Sequence, residues 1–397
     1  MKLITYIIAF FAIISCLFAC NRTGDRPDVG LNRPLDSLFN SMFAPDEPGA
    51  VVMVMHHDSI IYSGAFGLAD LGTKMPMSDS TMINISSASK MFITAGIMRL
   101  VEEGRISLTD SLSKFFPEFP SPLFNGITIE HVMSHTTGLP DERPRTPEQW
   151  IKYLDTHSRA FGYGPDYRLY ARGEELTRFF ETIDTLTFVP GSKFEYQEAP
   201  FLLLPQIIEI VTGKRFASWM RNNVFDPAGL KDITYFTPDV KIKNMAHGYT
   251  LAKPGQKADR FYDTSSGEWV EADYGEVDFY ASMVDVGIYT NAKELMKWVK
   301  CIFNYELLSK QSMDNILYPR VATPLPDVSY CLSAYISEDY GPRKVFHSRP
   351  NGGFATYTSF FPDEDLYYFI IANRPNWNRR STGAKVDSIL RANHRLP

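Results

Sequence analysis

Two runs of apolar residues around a short polar interruption stand near the start of the body of this chain. Ala50-Val51-Val52-Met53-Val54-Met55 is followed by His56-His57-Asp58-Ser59 and then by Ile60-Ile61-Tyr62, which predicts a β-hairpin within residues 49–70. From Ser87 the texture changes. A mostly apolar stretch beginning at Ser87-Ala88-Ser89-Lys90-Met91-Phe92 and ending near Gly104 predicts a buried helix. Helices are expected to dominate from there to about Phe303. They include residues 130–134, residues 200–212 stopping at Gly213, and residues 292–303, which Asn291 caps with Glu294 reaching back. After about Val328 strands return, most clearly at residues 357–361 and 366–372 around the turn Pro362-Asp363-Glu364-Asp365. A closing helix is expected over residues 382–392. Strands at both ends with helices between imply one sheet built from both termini, a helical lobe inserted into it, and a site in the cleft between them.

The first residues follow a different logic. Met1-Lys2 is a short positive start, residues 3–18 are almost entirely apolar, and Leu17-Phe18-Ala19-Cys20 closes with a small residue before a cysteine. This looks like a bacterial lipoprotein signal, too short to span a bilayer comfortably, which takes about 20 residues. Cleavage before Cys20 and lipidation of its thiol are expected; a plain secretory signal or an uncleaved anchor is the alternative. In each case the body is exported, and a lipid on Cys20 would hold it at a membrane facing the periplasm. The polar residues 21–32 read as a tether. The expected organisation is a signal over 1–19, a tether over 20–34 and one folded body over 35–397.

Composition narrows the function. The formal net charge is −6 and becomes more negative once residues 1–19, which carry Lys2 and no acid, are removed. No stretch has a basic excess, so nucleic acid is excluded as a partner. With 44% hydrophobic and 14% aromatic residues the body can bury a large core. Of four cysteines, Cys16 leaves with the signal and Cys20 takes the lipid. Cys301 and Cys331 remain, either as a disulfide or as two free buried thiols.

The chemistry begins at Ser87 and Lys90. On a helix, positions i and i+3 share a face, so the hydroxyl and the amine would meet in one small volume. Burial and the positive end of the helix dipole both disfavour a charged lysine, which makes the pair a candidate activated nucleophile. The spacing alone is common on exposed helices. The apolar sequence beyond Lys90 is what leaves the amine few routes to water.

Three further clusters keep this pair company. Phe188-Val189-Pro190-Gly191-Ser192-Lys193-Phe194-Glu195-Tyr196-Gln197-Glu198 puts an aromatic hydroxyl just before a helix. Val132-Met133-Ser134-His135-Thr136-Thr137-Gly138-Leu139-Pro140 stops a helix at a glycine turn. Phe346-His347-Ser348-Arg349-Pro350-Asn351-Gly352-Gly353-Phe354 begins a strand and carries two glycines where a backbone must approach something closely. In order and spacing the four resemble the serine β-lactamase and penicillin-binding protein family, its class C and esterase-like branch above all, over roughly residues 35–375. That resemblance implies an α/β (α+β) fold: an antiparallel sheet from both chain ends, flanked by helices, with an all-helical lobe over roughly residues 85–305. It implies acyl transfer through an acyl-enzyme, without metal or other cofactor, on an ester, a D-amino-acid peptide or a lactam, including peptidoglycan-type substrates. Ser87 would be acylated with Lys90 as its proton partner. Tyr196 would shuttle the proton to the leaving group. His347 would supply positive charge or a hydrogen bond, and Gly352 with Gly353 would anchor the strand's register.

The match also breaks. Where the family has Tyr-x-Asn this chain has Tyr196-Gln197-Glu198, so an amide becomes a carboxylate that would hold Lys90 protonated. The strand motif has Arg349 at its glycine and Pro350 next, where the family donates a backbone N–H to the oxyanion; proline has none. Asn351 could supply that N–H after a one-residue shift, or Arg349 could stabilise the charge itself. Glu198, Ser348, Arg349, Asn351 and Gly352 are therefore the candidate substrate-binding residues, although Arg349 could also sit on the surface at a strand start. His131 and His135 are four apart, yet the segment lacks a metalloprotease glutamate and no metal is expected. Residues 143–186 either cover the cleft or form a surface loop. Two functions stay open: a serine hydrolase, and a binding protein for peptidoglycan or peptide that kept the cleft and lost turnover.

Overall fold

The structure is a computed structural model and describes residues 29–140, 179–235, 241–252, 267–272, 287–337 and 341–397. The helices used below are α1 (Val29–Asn40), α2 (Ser89–Glu102), α3 (Ile129–Met133), α4 (Leu203–Thr212), α5 (Ala292–Phe303) and α6 (Arg379–Ala392). Eight strands form one antiparallel sheet: β1 (Ala50–His56), β2 (Ser59–Phe66), β3 (Val321–Ala322), β4 (Val328–Tyr330), β5 (Tyr335–Ser337), β6 (Lys344–Asn351), β7 (Phe354–Phe361) and β8 (Leu366–Ala372). Their spatial order is β3-β4-β5-β6-β7-β8-β1-β2, so the two chain ends meet where β8 pairs with β1, Ala50 opposite Ala372.

β1, β7 and β8 are buried at nearly every position because both faces of the sheet are covered. Val51, Met53 and Met55 join the larger core cluster with α2 and α5, whereas Ala50, Val52 and Val54 join a second cluster with Leu31, Leu35 and Phe39 of α1 and Val386 and Leu390 of α6. Val29 thus begins a packed helix, and Leu31 and Leu35 are fully buried. Residues 29–34 belong to the body rather than to a tether, because leucines at i and i+4 give α1 the apolar stripe that the sheet covers. Residues 1–28, including Cys20, lie outside the described residues, as does most of the segment 143–186. No helix among the described residues is long and apolar enough to cross a membrane.

The expected hairpin is present, with His57 and Asp58 at its tip. Gly213 ends α4 with φ +67°. Asn291 caps α5 by accepting the Glu294 N–H, but the Glu294 carboxylate goes instead to the Lys231 N–H and the Lys297 ammonium. The closing helix starts three residues early, at Arg379, because Asn378 caps it by accepting the Ser381 N–H. The lobe between β2 and β3 is mainly helical and, among the described residues, also holds three small sheets. One pairs Leu68–Asp70 with Met75–Pro76, one is built from Ile83–Asn84, Ile288–Thr290 and Ile233–Tyr235, and one from Tyr249–Ala252 and Glu268–Glu271. Cys301 and Cys331 are free and buried, and burial pushes their thiols up to about 11 and about 12.

The close approach expected at the glycine pair is real. A Cβ on Gly353 would stand 2.2 Å from the Gly248 carbonyl carbon, and the Tyr249 N–H donates to the Gly353 carbonyl at 3.3 Å. Gly352, with φ +53°, and Gly353 form the two-residue turn from β6 to β7. That turn sets the register of β6, the strand bearing His347 and Arg349.

Candidate active site

Ser87 lies in a single 3-10 turn, Ser86–Ala88, that runs directly into α2. The turn is bent by Ser86, whose φ of +51° is unusual for a residue with a side chain, and Asn84 Oδ1 holds it by accepting the Ser86 N–H at 2.7 Å. The result is a nucleophile candidate at the N-terminus of a 14-residue helix, packed against β6 and β7. Ser87 and Lys90 are both buried, and Lys90 is fully so.

Lys90 does not reach for Ser87 in this arrangement. Its Nζ donates to Glu198 Oε2 at 2.7 Å and stands 5.6 Å from the Tyr196 ring centre and 5.2 Å from that of Phe201. A buried ammonium needs such a partner, since an unpaired charge there costs several kcal/mol, on the order of 3–5 when one member of a buried pair is removed. The Glu198 carboxylate expected to sit beside Lys90 does so.

From the sheet side, side-chain alternation along β6 decides which residues enter the site. Val345 faces the larger core and Phe346 the smaller one, so His347 and Arg349 point towards the lobe while Ser348 and Pro350 point away. The Arg349 Cζ lies 4.0 Å from the Tyr196 ring centre, and the His347 ring is 6.2 Å from that of Tyr196. Arg349 is half-buried in mid-strand rather than on the surface at a strand start. The structure therefore gathers Ser87, Lys90, Tyr196, Glu198, His347 and Arg349. It does not bring the Ser348 side chain to them, Gly352 is part of the β6–β7 turn, and Asn351 closes β6 opposite Phe354. Among the described residues, Ser87 Oγ, Tyr196 OH and His347 Nε2 have no hydrogen-bond partner. Three polar atoms of one cluster are thus left with unused capacity.

His135 joins the cluster unannounced: its ring lies 4.1 Å from the Tyr196 ring, centre to centre. In the sequence it appeared as half of a metal pair with His131 and inside the Val132–Pro140 cluster, without a role of its own. The pairing fails because α3 ends at Met133 and the chain turns at His135, φ +56°, so the i, i+4 geometry is lost. His131 instead caps its own helix, with Nδ1 accepting the Thr128 N–H. Among the described residues no cluster of metal-ligating side chains occurs. The helix-ending Ser-His-Thr-Thr-Gly turn was the available signal, but nothing in it names Tyr196 as the neighbour.

Burial pushes both His135 and His347 well below the ordinary value of 6.5, helped by the nearby charges of Lys90 and Arg349. His347 is therefore neutral and offers a hydrogen bond, not the positive charge that was its other possible role. Below about pH 6.5 the unfolded chain binds protons that the folded one refuses, so stability falls as pH drops through that range and is untouched above it. Calorimetry should find a lower Tm at about pH 5 than at about pH 7.5, and an equal Tm would contradict the burial of two neutral imidazoles.

Known proteins place this geometry in context. The family model described as Beta-lactamase matches residues 35–390. Penicillin-binding protein 4* of Bacillus subtilis (strain 168) is 26% identical over 295 residues, which is 72% of this chain and 59% of that protein's length. The octameric penicillin-binding protein homologue of Pyrococcus abyssi superimposes with a TM-score of 0.75 at 21% identity, covering 92% of this chain and 78% of that one. The D-amino acid amidase of Ochrobactrum anthropi SV3, complexed with L-phenylalanine amide, does so with a TM-score of 0.69 at 19% identity, covering 92% and 98%. A serine opening a buried helix, a lysine one turn on, and a tyrosine and a sheet histidine closing around them agree with a family match over nearly the whole body: the chain belongs to the Beta-lactamase family.

Proposed function

We propose that this protein is a serine hydrolase acting through an acyl-enzyme on an ester, a D-amino-acid peptide or a lactam-type carbonyl, with esters and peptides ahead of lactams. The observation that carries the reading is the Ser87 hydroxyl, buried at the start of α2 without a partner among the described residues and clustered with Lys90, Tyr196 and His347. Ser87 Oγ bonds to the substrate carbonyl carbon. Its proton moves by way of the Tyr196 hydroxyl, which can accept and donate at once, to the leaving oxygen or nitrogen as that bond breaks. Water then adds to the acyl ester, gives its proton back to Ser87 Oγ and releases the acid.

Lys90, engaged with Glu198, contributes a fixed positive charge beside Tyr196. An amine paired as an ammonium has no lone pair to take a proton, so Tyr196 rather than Lys90 relays it. Arg349, which makes no ion pair among the described residues, is available to a carboxylate on the substrate or to the developing oxyanion. The D-amino acid amide chemistry named for the Ochrobactrum enzyme supports this substrate class, as does the penicillin-binding name of the Bacillus relative. The same reading keeps the lipid on Cys20 and a periplasm-facing site for peptidoglycan-type or small acyl substrates.

A binding protein without turnover is the second reading, favoured by Pro350, which has no N–H for the oxyanion. Intact-mass spectrometry after incubation with a fluorophosphonate separates the two. One adduct, mapped to the peptide that contains Ser87, is expected; an unmodified mass would put the binding protein first.

Glu198→Asn tests the division of labour between Lys90 and Tyr196. Replacing the carboxylate by an amide takes one negative charge from beside Lys90 and so disfavours its charged form, so ester hydrolysis at neutral pH should rise and the pH optimum should move down. An unchanged pH–rate profile would show that the Lys90–Glu198 pair does not limit turnover.

A further inference from the structure

His135 performs no step in the reaction above, yet it holds Tyr196 from both sides. Its carbonyl oxygen accepts the Glu195 N–H at 2.9 Å and its ring Nδ1 accepts the Gln197 N–H at 3.2 Å. Its ring lies on that of Tyr196, with planes 32° apart, and also meets Phe201 at 5.6 Å and Tyr330 at 5.2 Å between centres. Residues 193–197 have neither helix nor strand, so no ladder of backbone hydrogen bonds fixes the tyrosine. Two bonds to one histidine take its place. The histidine sits just past the end of α3 with φ +56°, where chains favour glycine or asparagine. That turn is what presents its carbonyl and its ring to the same passing segment.

We infer that His135 is a positioning residue, a buried clamp whose two acceptors on either side of Tyr196 set where the tyrosine hydroxyl stands relative to Ser87. The inference rests on the reading of Tyr196 as the proton relay. An Nδ1 that accepts must carry no proton, so the ring is the neutral Nε2–H tautomer. Burial and the neighbouring Lys90, Arg349 and His347 all favour that neutral form. Gln197 is anchored in turn, its Oε1 accepting the Thr137 hydroxyl and its Nε2 donating to the Leu139 carbonyl, so the clamp is tied to the same turn that carries His135.

The test compares two esters of one acid and two variants. With either ester the Ser87 proton must be taken up, but a p-nitrophenyl leaving group departs without a proton, whereas an ethyl ester needs one delivered as well. His135→Phe keeps the ring and removes the acceptor; His135→Asn removes the ring but puts Oδ1 where Nδ1 stood, and asparagine tolerates the positive φ. His135→Phe should lower kcat on the ethyl ester about 10²-fold and on the aryl ester less than about tenfold, as expected when a proton carrier is misplaced by an ångström or so. His135→Asn should recover the ethyl ester to within about threefold of the unaltered protein. Deuterium uptake by the peptide covering residues 194–199 should rise in His135→Phe and not in His135→Asn.

Equal losses on both esters, uptake in His135→Phe no faster than in the unaltered protein, or a His135→Asn no better than His135→Phe would each overturn the clamp. If His135→Phe does not fold, His135→Asn decides alone: a changed ester ratio or faster uptake overturns the acceptor's role. If the unaltered protein hydrolyses neither ester, the hydrolase reading fails by itself, and the uptake measurement still tells whether His135 holds the segment.

Discussion

Ser87→Ala is expected to abolish fluorophosphonate labelling and to lower ester hydrolysis by at least about 10³-fold, with Tm unchanged or slightly raised. The loss is chemical because the hydroxyl does nothing for the fold. Ser87 Oγ has no hydrogen-bond partner among the described residues, so its removal leaves no group newly unsatisfied. Alanine also suits a position just before a helix, and its neighbours Ser86 and Ala88 keep the turn by their backbones. Any activity that survives would come from binding and electrostatics at Lys90 and Arg349 without an acyl-enzyme. A Ser87→Ala protein that still labels would move the nucleophile elsewhere and remove the main support for the proposed mechanism.

Pro350→Ser should raise ester hydrolysis by about 10²-fold, the amount that one oxyanion donor contributes in enzymes where it has been removed. The direction follows from register. β6 pairs with β7 without a shift through Arg349 opposite Thr356, Pro350 opposite Ala355 and Asn351 opposite Phe354. A proline inside an uninterrupted pairing stands where its missing N–H would face away from the partner strand. On that other side, among the described residues, β5 pairs only with residues 344–346, so the edge at Pro350 is open. A serine would therefore aim a new N–H at the open edge, on the strand that carries His347 and Arg349. The cost is small by comparison: losing a proline's restriction of the unfolded chain costs about 0.4–1 kcal/mol, against a domain stability on the order of 5–15 kcal/mol. A gain confined to the rate, with Tm nearly kept, would identify Pro350 as the reason for slow turnover. No gain would assign the oxyanion to Arg349, because β6 shows no one-residue shift that would bring the Asn351 N–H to that edge.

These two substitutions bracket the site. One removes the proposed nucleophile; the other supplies the backbone N–H that proline lacks. Together with Glu198→Asn, they separate three conditions that the cluster combines: a nucleophile, a proton path and a place for negative charge. A protein that labels at Ser87 but turns over slowly until Pro350 is replaced would be a hydrolase held back at its oxyanion. One that gains only from Glu198→Asn would be limited by its base.

Features governed by neighbours along the chain are legible in the amino-acid sequence by itself. The hairpin at residues 50–66, the stop of α4 at Gly213 and the Asn291 cap all rest on periodicity, a positive φ or a side chain reaching three residues along, which the chain carries wherever it folds. Ser87 and Lys90 are legible for the same reason, one turn apart on a helix start. The period of two along β6 likewise contains the separation of His347 and Arg349 from Ser348, once the strand's inner face is known. What only the tertiary structure decided depends on segments that meet across long stretches of chain. Lys90 finds Glu198 across 108 positions, and the Gln197 N–H finds His135 across 62. Residues 29–34 became part of the body because the second face of the sheet needed α1 to cover it. No local rule fixes such pairings: a carboxylate beside a lysine, a histidine under a tyrosine and two thiols left apart are settled only when sheet and lobe close on one another and every buried charge and donor must find its place.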